Sequence, residues 1–343
     1  MKKILLSVVC LVMTGMQSVM AQNTLVATLI HDSKTTQFYG STALQAAHDA
    51  AEDGDVITLS EGIFNELLVS KPIIVRGAGM RGDFINKTKA TSVKSIRFGE
   101  NIKNVKFEGL SILGALEDST SNISDILFEK CLFKSWISPM SNCSMTFINC
   151  VVPNEPLYLH RENITLNFYN SFITYVSAKE SSAMMIAENC IIGYMSGEIQ
   201  YSMMKNCILY PRHDQFWPIE ETASCEYCLG IDVFVEGDQD VFTNITYSNN
   251  QTIYKYDIFK TLRWDPEPIT WYSVAKYTDT ETFELTDEAA ATYLGSDGTQ
   301  VGMYGGKFPF TTTLSYPQFT KATVAKEAVD GKLNVNIEIN AGN

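Results

Sequence analysis

Beyond its first 20 residues the sequence has no apolar run that approaches the roughly 18 residues a membrane helix needs. Basic residues are also few, since 26 lysines and arginines stand against 39 aspartates and glutamates, for a formal net charge of −13. This balance argues against nucleic acid as a partner, because affinity for nucleic acid depends on cations that neutralise phosphate. It also disfavours adhesion to anionic lipid or polyuronate unless a local basic stripe or bound calcium intervenes.

The cysteine count excludes a small scaffold held together by disulfides. Of the eight cysteines, Cys10 lies in the first apolar stretch, and the remaining seven are an odd number, so at least one thiol has no partner within the chain. Cys225 and Cys228 form a single CxxC without a second pair, which supports neither zinc nor redox chemistry.

The first residues are arranged like a secretory signal peptide. Lys2 and Lys3 precede an apolar run over residues 4–13, and small residues up to Ala21 form a cleavage site before Gln22. We therefore expect residues 1–21 to be removed and the mature protein to be exported to the periplasm, the cell surface or the medium.

Six nine-residue segments between residues 104 and 209 share one pattern and align with one another without gaps. Its seventh positions are 21, 19, 21, 19 and 17 residues apart, and a strand-like period near 20 residues indicates a solenoid. In such a fold each coil is covered only by its neighbours, so the repeat predicts the fold, and function must come from departures from the repeat. The copies are NVKFEGLSI (104–112), DILFEKCLF (125–133), SMTFINCVV (144–152), TLNFYNSFI (165–173), MMIAENCII (184–192) and YSMMKNCIL (201–209).

Within the repeat, alternating apolar residues predict two inward-facing strands separated by a corner. Positions two and four are apolar, and so are positions seven and nine, which means that the side-chain parity changes between them. Position six favours asparagine, which tolerates the left-handed backbone that a corner needs. We expect the stacked amides to form an Asn ladder; the alternative is that asparagine only marks loops. The four residues are Asn149, Asn170, Asn189 and Asn206.

Position seven is often cysteine, and the alternatives there are a disulfide column or buried thiols. In-register side chains of stacked coils point in the same direction, whereas a disulfide needs two Cβ atoms that lean together at about 3.8 Å. We therefore predict free thiols that pack as small hydrophobic groups.

Residues 43–53 predict a short helix that covers the first coil. Thr42 and Gln45 have the spacing of a capping box. Alanines and Leu44 form an apolar stripe along the predicted helix, which ends at Asp53. An uncovered strand edge at the end of a solenoid would pair with other chains, so a helix in this position suits a lid.

The stretch that contains this helix carries a family resemblance. ALQAAHDAAEDGDVITLSEGIFNELLVSKPIIVRGAG (43–79) resembles the opening coil of the right-handed parallel β-helix superfamily, which includes pectate lyases, pectin methylesterases, polygalacturonases and exported bacterial proteins without an assigned activity. GSDGTQVGMYGG (295–306) is similar to the segment that closes these solenoids in the exported bacterial members. The resemblance implies an all-β, right-handed parallel β-helix over residues 22–306 with a short N-terminal capping helix.

Residues 307–343 differ in character from the repeats. A Pro/Thr-rich joint precedes two strands on either side of Asp330-Gly331, and this pattern predicts a C-terminal β-hairpin. Leu333, Val335 and Ile337 alternate with polar residues, which gives the hairpin one apolar face. Because a two-stranded ribbon is not stable alone, we expect it to pack against the last coils or to dock on a partner protein.

Two ionisable triplets have the composition of an acid–base site. One is Arg212, His213 and Asp214, and the weaker candidate is His-Arg-Glu at residues 160–162. The triplets fall at different points around the coil and about 14 Å apart along the axis, so each would have to act alone. Exposed loop charges are the alternative explanation for both.

Two further clusters are candidate binding sites. Three carboxylates in EGDQD suit a calcium site, with a solvated turn as the alternative; they are Glu236, Asp238 and Asp240. Aromatic side chains near carboxylates and prolines suit a sugar site, although packing of insertions against the coils explains them equally well. These residues are Trp217, Trp264, Trp271 and Tyr272.

The enzymes of the superfamily act on polysaccharide along a lateral groove, but their catalytic motifs do not recur here. The chain has neither the paired aspartates of polygalacturonases, nor the Gly-rich aspartate motif of the esterases, nor a lyase-like set of calcium aspartates with an arginine. We therefore predict an exported, non-catalytic protein that binds polysaccharide or another extended polymer along its lateral face. The alternatives are a divergent polysaccharide lyase, hydrolase or esterase, and a surface-structural or adhesive protein. Apart from the calcium candidate, no cofactor is expected.

Overall fold

A computed structural model describes residues 25–82, 89–117, 122–152, 157–179, 183–197, 202–209, 224–231, 246–253, 258–261, 282–324, 332 and 335–340. The helices are α1, Ala43–Ala50, and α2, Asp287–Thr292. The strands, in chain order, are β1 Val26–His31, β2 Lys34–Tyr39, β3 Val56–Leu59, β4 Gly62–Phe64, β5 Leu67–Val69, β6 Ile74–Arg76, β7 Thr91–Val93, β8 Ile96–Phe98, β9 Lys103–Glu108, β10 Ser111–Ile112, β11 Leu116–Glu117, β12 Ile123–Glu129, β13 Leu132–Phe133, β14 Ile137–Ser138, β15 Cys143–Ile148, β16 Val151–Val152, β17 Leu157–Leu159, β18 Ile164–Tyr169, β19 Phe172–Ala178, β20 Met184–Glu188, β21 Ile191–Gly197, β22 Met203–Lys205, β23 Ile208–Leu209, β24 Ser224–Glu226, β25 Leu229–Ile231, β26 Thr246–Ser248, β27 Gln251–Ile253, β28 Gln318–Val324 and β29 Val335–Asn340.

Successive coils add strands to two long sheets. The first sheet has the order β2-β1-β3-β6-β9-β12-β15-β18-β20-β22-β24-β26, and the second has the order β27-β25-β23-β21-β19-β16-β13-β10-β7-β4, with β11, β14 and β17 attached beside it. From β3 onward the first sheet is parallel, and equivalent repeat positions are in register, such as Phe128 opposite Phe107 and Phe147. This pairing confirms the predicted parallel β-solenoid.

The interior is built from columns of like residues. The rings of Phe107, Phe128, Phe147 and Phe168 stack nearly parallel, with successive centroids 5.0, 5.3 and 4.6 Å apart. The residues at positions two, four, seven and nine of these coils are buried as the repeat predicts. Because each coil covers the apolar side chains of the next, burial of these columns drives the stacking.

The corner between the two sheets has a left-handed backbone in every described coil from Gly109 onward. The φ angles there lie between 47° and 70°, which confirms the predicted corner. Where asparagine is absent, the same conformation is adopted by glycine, lysine or tyrosine. The position-six residues are Gly109, Lys130, Asn149, Asn170, Asn189, Asn206, Tyr227 and Asn249.

The predicted Asn ladder is replaced at this corner by bonds to a segment from later in the chain. The Asn170 amide donates to the main-chain oxygens of Met303 and Gly305, at 3.0 and 2.7 Å. The Asn206 side-chain oxygen accepts the Ser296 N–H at 2.8 Å. These amides therefore fasten a covering segment to the coils.

The cysteines are free and buried, as predicted. The Cys150 thiol donates to the main-chain oxygen of Phe128 in the preceding coil at 3.4 Å. Burial raises the pKa of the Cys150 and Cys207 thiols, so these groups stay protonated and act as small core residues. The free cysteines are Cys131, Cys143, Cys150, Cys190, Cys207, Cys225 and Cys228.

Helix α1 forms the predicted N-terminal lid, with Ala43 and Leu44 buried against the first coils. The capping-box prediction is wrong, because Thr42 makes no side-chain bond to the helix N-terminus. Instead the Gln45 side-chain oxygen accepts the Leu68 N–H at 2.8 Å, which ties the helix to β5. The antiparallel pair β1 and β2 extends the first sheet beyond β3, a feature the sequence did not predict.

Residues 293–316, which we call the strap, run along the outside of the second sheet from the later coils to the first ones. Val301, Met303 and Phe310 pack in one cluster with the outward side chains at repeat position eight. Residues 295–306 therefore cover the flank of the coils, whereas the family resemblance implied that they close an end. The covered side chains are Leu132, Val151, Phe172, Ile191, Ile208 and Leu229.

The strap ends on the early coils, where polar groups hold it. The Ser315 N–H donates to the Glu108 carboxylate at 3.2 Å, and the Tyr316 hydroxyl donates to the main-chain oxygen of Gly77. The Glu108 side chain is fully buried and lies 3.3 Å from the Lys106 ammonium. We call these contacts the latch.

The C-terminal hairpin is present as β28 and β29, which pair antiparallel. Strand β28 begins at Gln318, two residues after Tyr316. Since Tyr316 is bound at Gly77, the hairpin begins beside the early coils and not at the last coils, which were one of the two predicted positions. Docking on a partner protein, the other alternative, stays a prediction.

Candidate functional site

Apart from the triplet at residues 160–162, the site residues predicted from sequence lie outside the described residues. The acid–base, calcium and sugar-binding assignments for these positions therefore stay predictions. They are Arg212, His213, Asp214, Trp217, Glu236, Asp238, Asp240, Trp264, Trp271 and Tyr272.

A different candidate site lies on a third side of the solenoid, where β14, β17 and the second half of β19 stack in parallel. Leu157 pairs with Ile137 on one side and with Val176 on the other, and all three are buried. Because side chains alternate along a strand, the residues next to these three point outward. We call this surface the lateral face; its residues are Trp136, Ser138, Tyr158, His160, Tyr175, Ser177 and Lys179.

Three aromatic side chains of the lateral face come from three successive coils. Trp136 is 39% exposed, and Tyr158 and Tyr175 are half-buried. Stacked strands are about 4.8 Å apart, so the three positions span about 10 Å along the solenoid axis. Rigid aromatic rings with polar neighbours form the apolar floor of many ligand sites.

A histidine and a serine from adjacent coils meet at the centre of this face. The His160 Nε2 atom lies 3.0 Å from the Ser177 hydroxyl oxygen. In the tautomer with its proton on Nδ1, the imidazole accepts the serine O–H. The Tyr158 ring lies 4.9 Å from the imidazole, at an interplanar angle of 60°, and packs against it.

Charged residues border the His160–Ser177 pair. Arg161, Glu162 and Lys179 are exposed. The corner that carries the first two is fixed by a bond along the axis from the Asn163 amide to the Asn142 side-chain oxygen at 3.0 Å. The lateral face thus combines aromatic surface, hydrogen-bonding groups and charges of both signs.

Sequence reasoning found His160 but grouped it with Arg161 and Glu162, its neighbours along the chain. Its structural partner comes from the next coil, 17 residues later. The repeat alone gives the wrong register because the spacing between paired positions differs from coil to coil. Four residues separate Val152 from Leu157, but only two, both within β19, separate their partners Ile173 and Val176. Aligning the buried apolar residues of the third strand, such as Leu157 with Val176, would have predicted the correct register from the sequence.

Other polar features of the described residues are less suited to a site. An open cavity of about 570 Å³ lies beside α1, with Gln45, Asp49 and Lys94 in its lining. Gln45 and Asp49 already bond to each other at 2.7 Å. Within the described ranges, no three histidine, cysteine, aspartate or glutamate side chains come together as a metal site.

None of the family models, curated proteins or solved structures compared with this chain matches it. Among the described residues, no helix combines the length and apolar character needed to cross a membrane. The strand pairing by itself establishes the architecture, a parallel β-solenoid with an N-terminal lid and a C-terminal strap.

Proposed function

We propose that this protein is exported and binds a polysaccharide along its lateral face. The supporting observation is that Trp136, Tyr158 and Tyr175 present aromatic rings on three successive coils. Aromatic rings contact the apolar faces of sugar rings, and nearby serine and histidine groups suit sugar hydroxyls. A solenoid repeats its surface along one axis, which favours an extended polymer over a compact ligand.

Charge narrows the class of polymer. The chain carries a formal net charge of −13, so long-range electrostatics repel polyanions such as polyuronates. Arg161 and Lys179 offset this only locally. We therefore favour a neutral polysaccharide, and the signal-peptide pattern of residues 1–21 supports a location where such polymers occur.

The test is affinity electrophoresis of the mature protein in gels that contain soluble neutral polysaccharides. The variants Trp136→Ala and Tyr175→Ala should each weaken retardation by the bound polymer about tenfold, which corresponds to about 1.4 kcal/mol. Tyr39→Ala is the matched control, because Tyr39 is 60% exposed on β2, away from this face. Circular dichroism would check that each variant is folded.

Two results would contradict the proposal. One is that no neutral polysaccharide in a broad panel retards the unmodified protein. The other is that a retarding polymer binds the double variant of Trp136 and Tyr175 as well as it binds the Tyr39 control.

A further inference from the structure

We infer that Ser177 and His160 form a nucleophile–base pair that removes acyl groups from ester-substituted sugars. The substrate class rests on the proposed polysaccharide binding. The chemistry itself rests on the geometry of the pair and extends the function from binding to hydrolysis.

The distance and the surroundings of the pair suit an activated serine. The 3.0 Å separation of His160 Nε2 and Ser177 Oγ is within the range of nucleophile–base contacts. Ser177 pairs on one side with Tyr158 of β17 and on the other with Ser196 of β21, so its backbone is held by a strand on each side. Ser177 retains 8% exposure, which leaves its hydroxyl shielded yet next to the surface.

Lys179 places a positive charge on the same face as Ser177. Lys179 follows Ser177 by two residues and is exposed, so the two side chains share one face about 7 Å apart along the strand. The Lys179 N–H bonds to the Leu159 main-chain oxygen at 3.1 Å, which places Lys179 beside His160 in the register. Its ammonium group can stabilise the oxyanion that forms when a carbonyl is attacked.

The reaction then follows from these positions. His160 Nε2 takes the proton of the Ser177 hydroxyl as the serine oxygen bonds to the acyl carbon. The carbon–oxygen bond to the sugar breaks, and the leaving sugar oxygen receives the proton from His160. Water attacks the acyl-serine in the second half of the cycle; His160 accepts the proton of this water and returns it to Ser177, which releases the carboxylic acid.

The experiment measures covalent labelling of the full mature protein by a fluorophosphonate probe, with the labelled peptide identified by mass spectrometry. We expect a single labelled residue, Ser177, and none in Ser177→Ala. His160→Gln should slow labelling about 100-fold or more, as expected for loss of a general base. Ser144→Ala is the matched control, because Ser144 lies on β15 of the first sheet, outside the lateral face, and should leave the rate unchanged.

A second measurement, release of acetate from p-nitrophenyl acetate, should show the same order of variants. The inference is overturned if Ser177 is labelled no faster in the folded protein than in the heat-unfolded chain. It is equally overturned if folded His160→Gln reacts at the unmodified rate. Both probes are small and need no polymer, so failure here is distinguishable from failure of polysaccharide binding, which Trp136→Ala tests separately.

Discussion

Each asparagine at repeat position six that bonds to the strap meets two separate requirements. Its backbone adopts a left-handed conformation, which costs most residues roughly 1–2 kcal/mol, and its side chain binds the strap. Asn170 has a φ of 47° and donates two hydrogen bonds to strap carbonyls. A glycine would satisfy the first requirement only, and this difference explains why asparagine suits these coils.

Substitutions at Asn170 should separate these two contributions. Asn170→Ala should lower the free energy of unfolding by about 3 kcal/mol, from strain and from two lost bonds of about 1 kcal/mol each. Asn170→Gly should lose less, because it removes the bonds but keeps the backbone conformation. Denaturant unfolding gives these values.

The control for this series is Asn249→Ala, because Asn249 has the same left-handed backbone, with a φ of 56°, and an exposed side chain. It should lose only about 1–2 kcal/mol. Equal losses in Asn170→Ala and Asn249→Ala would show that the strap bonds contribute nothing.

At this scale the sequence predicted the core well but the candidate site poorly. The phenylalanine column follows directly from the spacing of the repeat, because every copy places Phe or another apolar residue at position four. The His160–Ser177 contact depends on a spacing that is two residues longer from Val152 to Leu157 than from Ile173 to Val176, and a fixed period does not report such a change.

Among the structural elements, the strap was the main feature that the sequence did not predict. Its buried residues Val301, Met303 and Phe310 are isolated among glycines and threonines, so they have neither helical nor strand periodicity. The outward apolar residues at position eight, such as Phe172 and Ile191, were the available signal. Outward apolar residues on successive coils indicate a covering segment, because large exposed apolar patches are rare on monomeric proteins.

Acid should weaken the attachment of the strap at the latch, because Glu108 must be ionised to contribute fully. Burial alone would raise the pKa of Glu108, but hydrogen bonds from Ser315 and the charge of Lys106 lower it on balance. Around it lie Arg76 on β6, with its Nε atom 4.0 Å from the carboxylate, and Glu129 on β12, which pairs with Lys106 at 2.7 Å. Because this pKa is lowered in the folded state, the ionised carboxylate stabilises the fold at pH values above the ordinary glutamate pKa, near 4.5. The stabilisation is lost as the pH falls below that value.

Glu108→Gln should therefore lower the melting temperature at pH 7, and the difference from the unmodified protein should shrink as the pH falls below about 4.5. Melting followed by circular dichroism between pH 7 and pH 3 measures this. Glu284→Gln is the control, because Glu284 forms an exposed pair with Lys260 at 2.7 Å, and such pairs contribute little. A constant difference across the pH range would contradict the assigned role of Glu108.

For the whole molecule, the sequence predicted the class of fold and the order of its parts, namely lid, coils and hairpin. It did not predict where the C-terminal residues go. The repeat fixes the stacking of the coils through local registers. The return of the strap from Asn206 to Gly77 depends instead on contacts between residues 90 to 239 positions apart, from Ser296 with Asn206 to Tyr316 with Gly77. No local pattern encodes such a pairing.

Two truncations should test the strap as a covering element. A chain that ends at residue 281 exposes the position-eight column of six apolar side chains, so we expect it to bind a hydrophobic dye and to self-associate. A chain that ends at residue 317 keeps the strap and the latch, and we expect it to remain folded. Size-exclusion chromatography and dye fluorescence distinguish the two. If the chain that ends at residue 281 were monomeric and did not bind dye, the strap would be dispensable.

The course of the strap also determines how the molecule would respond to tension. The strand β1 and the latch both lie at the early coils. The described chain therefore enters the solenoid at the same end at which the strap leaves it. A force applied between Leu25 and Tyr316 would first load the short connection through the latch, and the later coils would carry no tension while the latch held. Once the latch broke, the strap would peel away coil by coil, and only then would the force reach the distant turns.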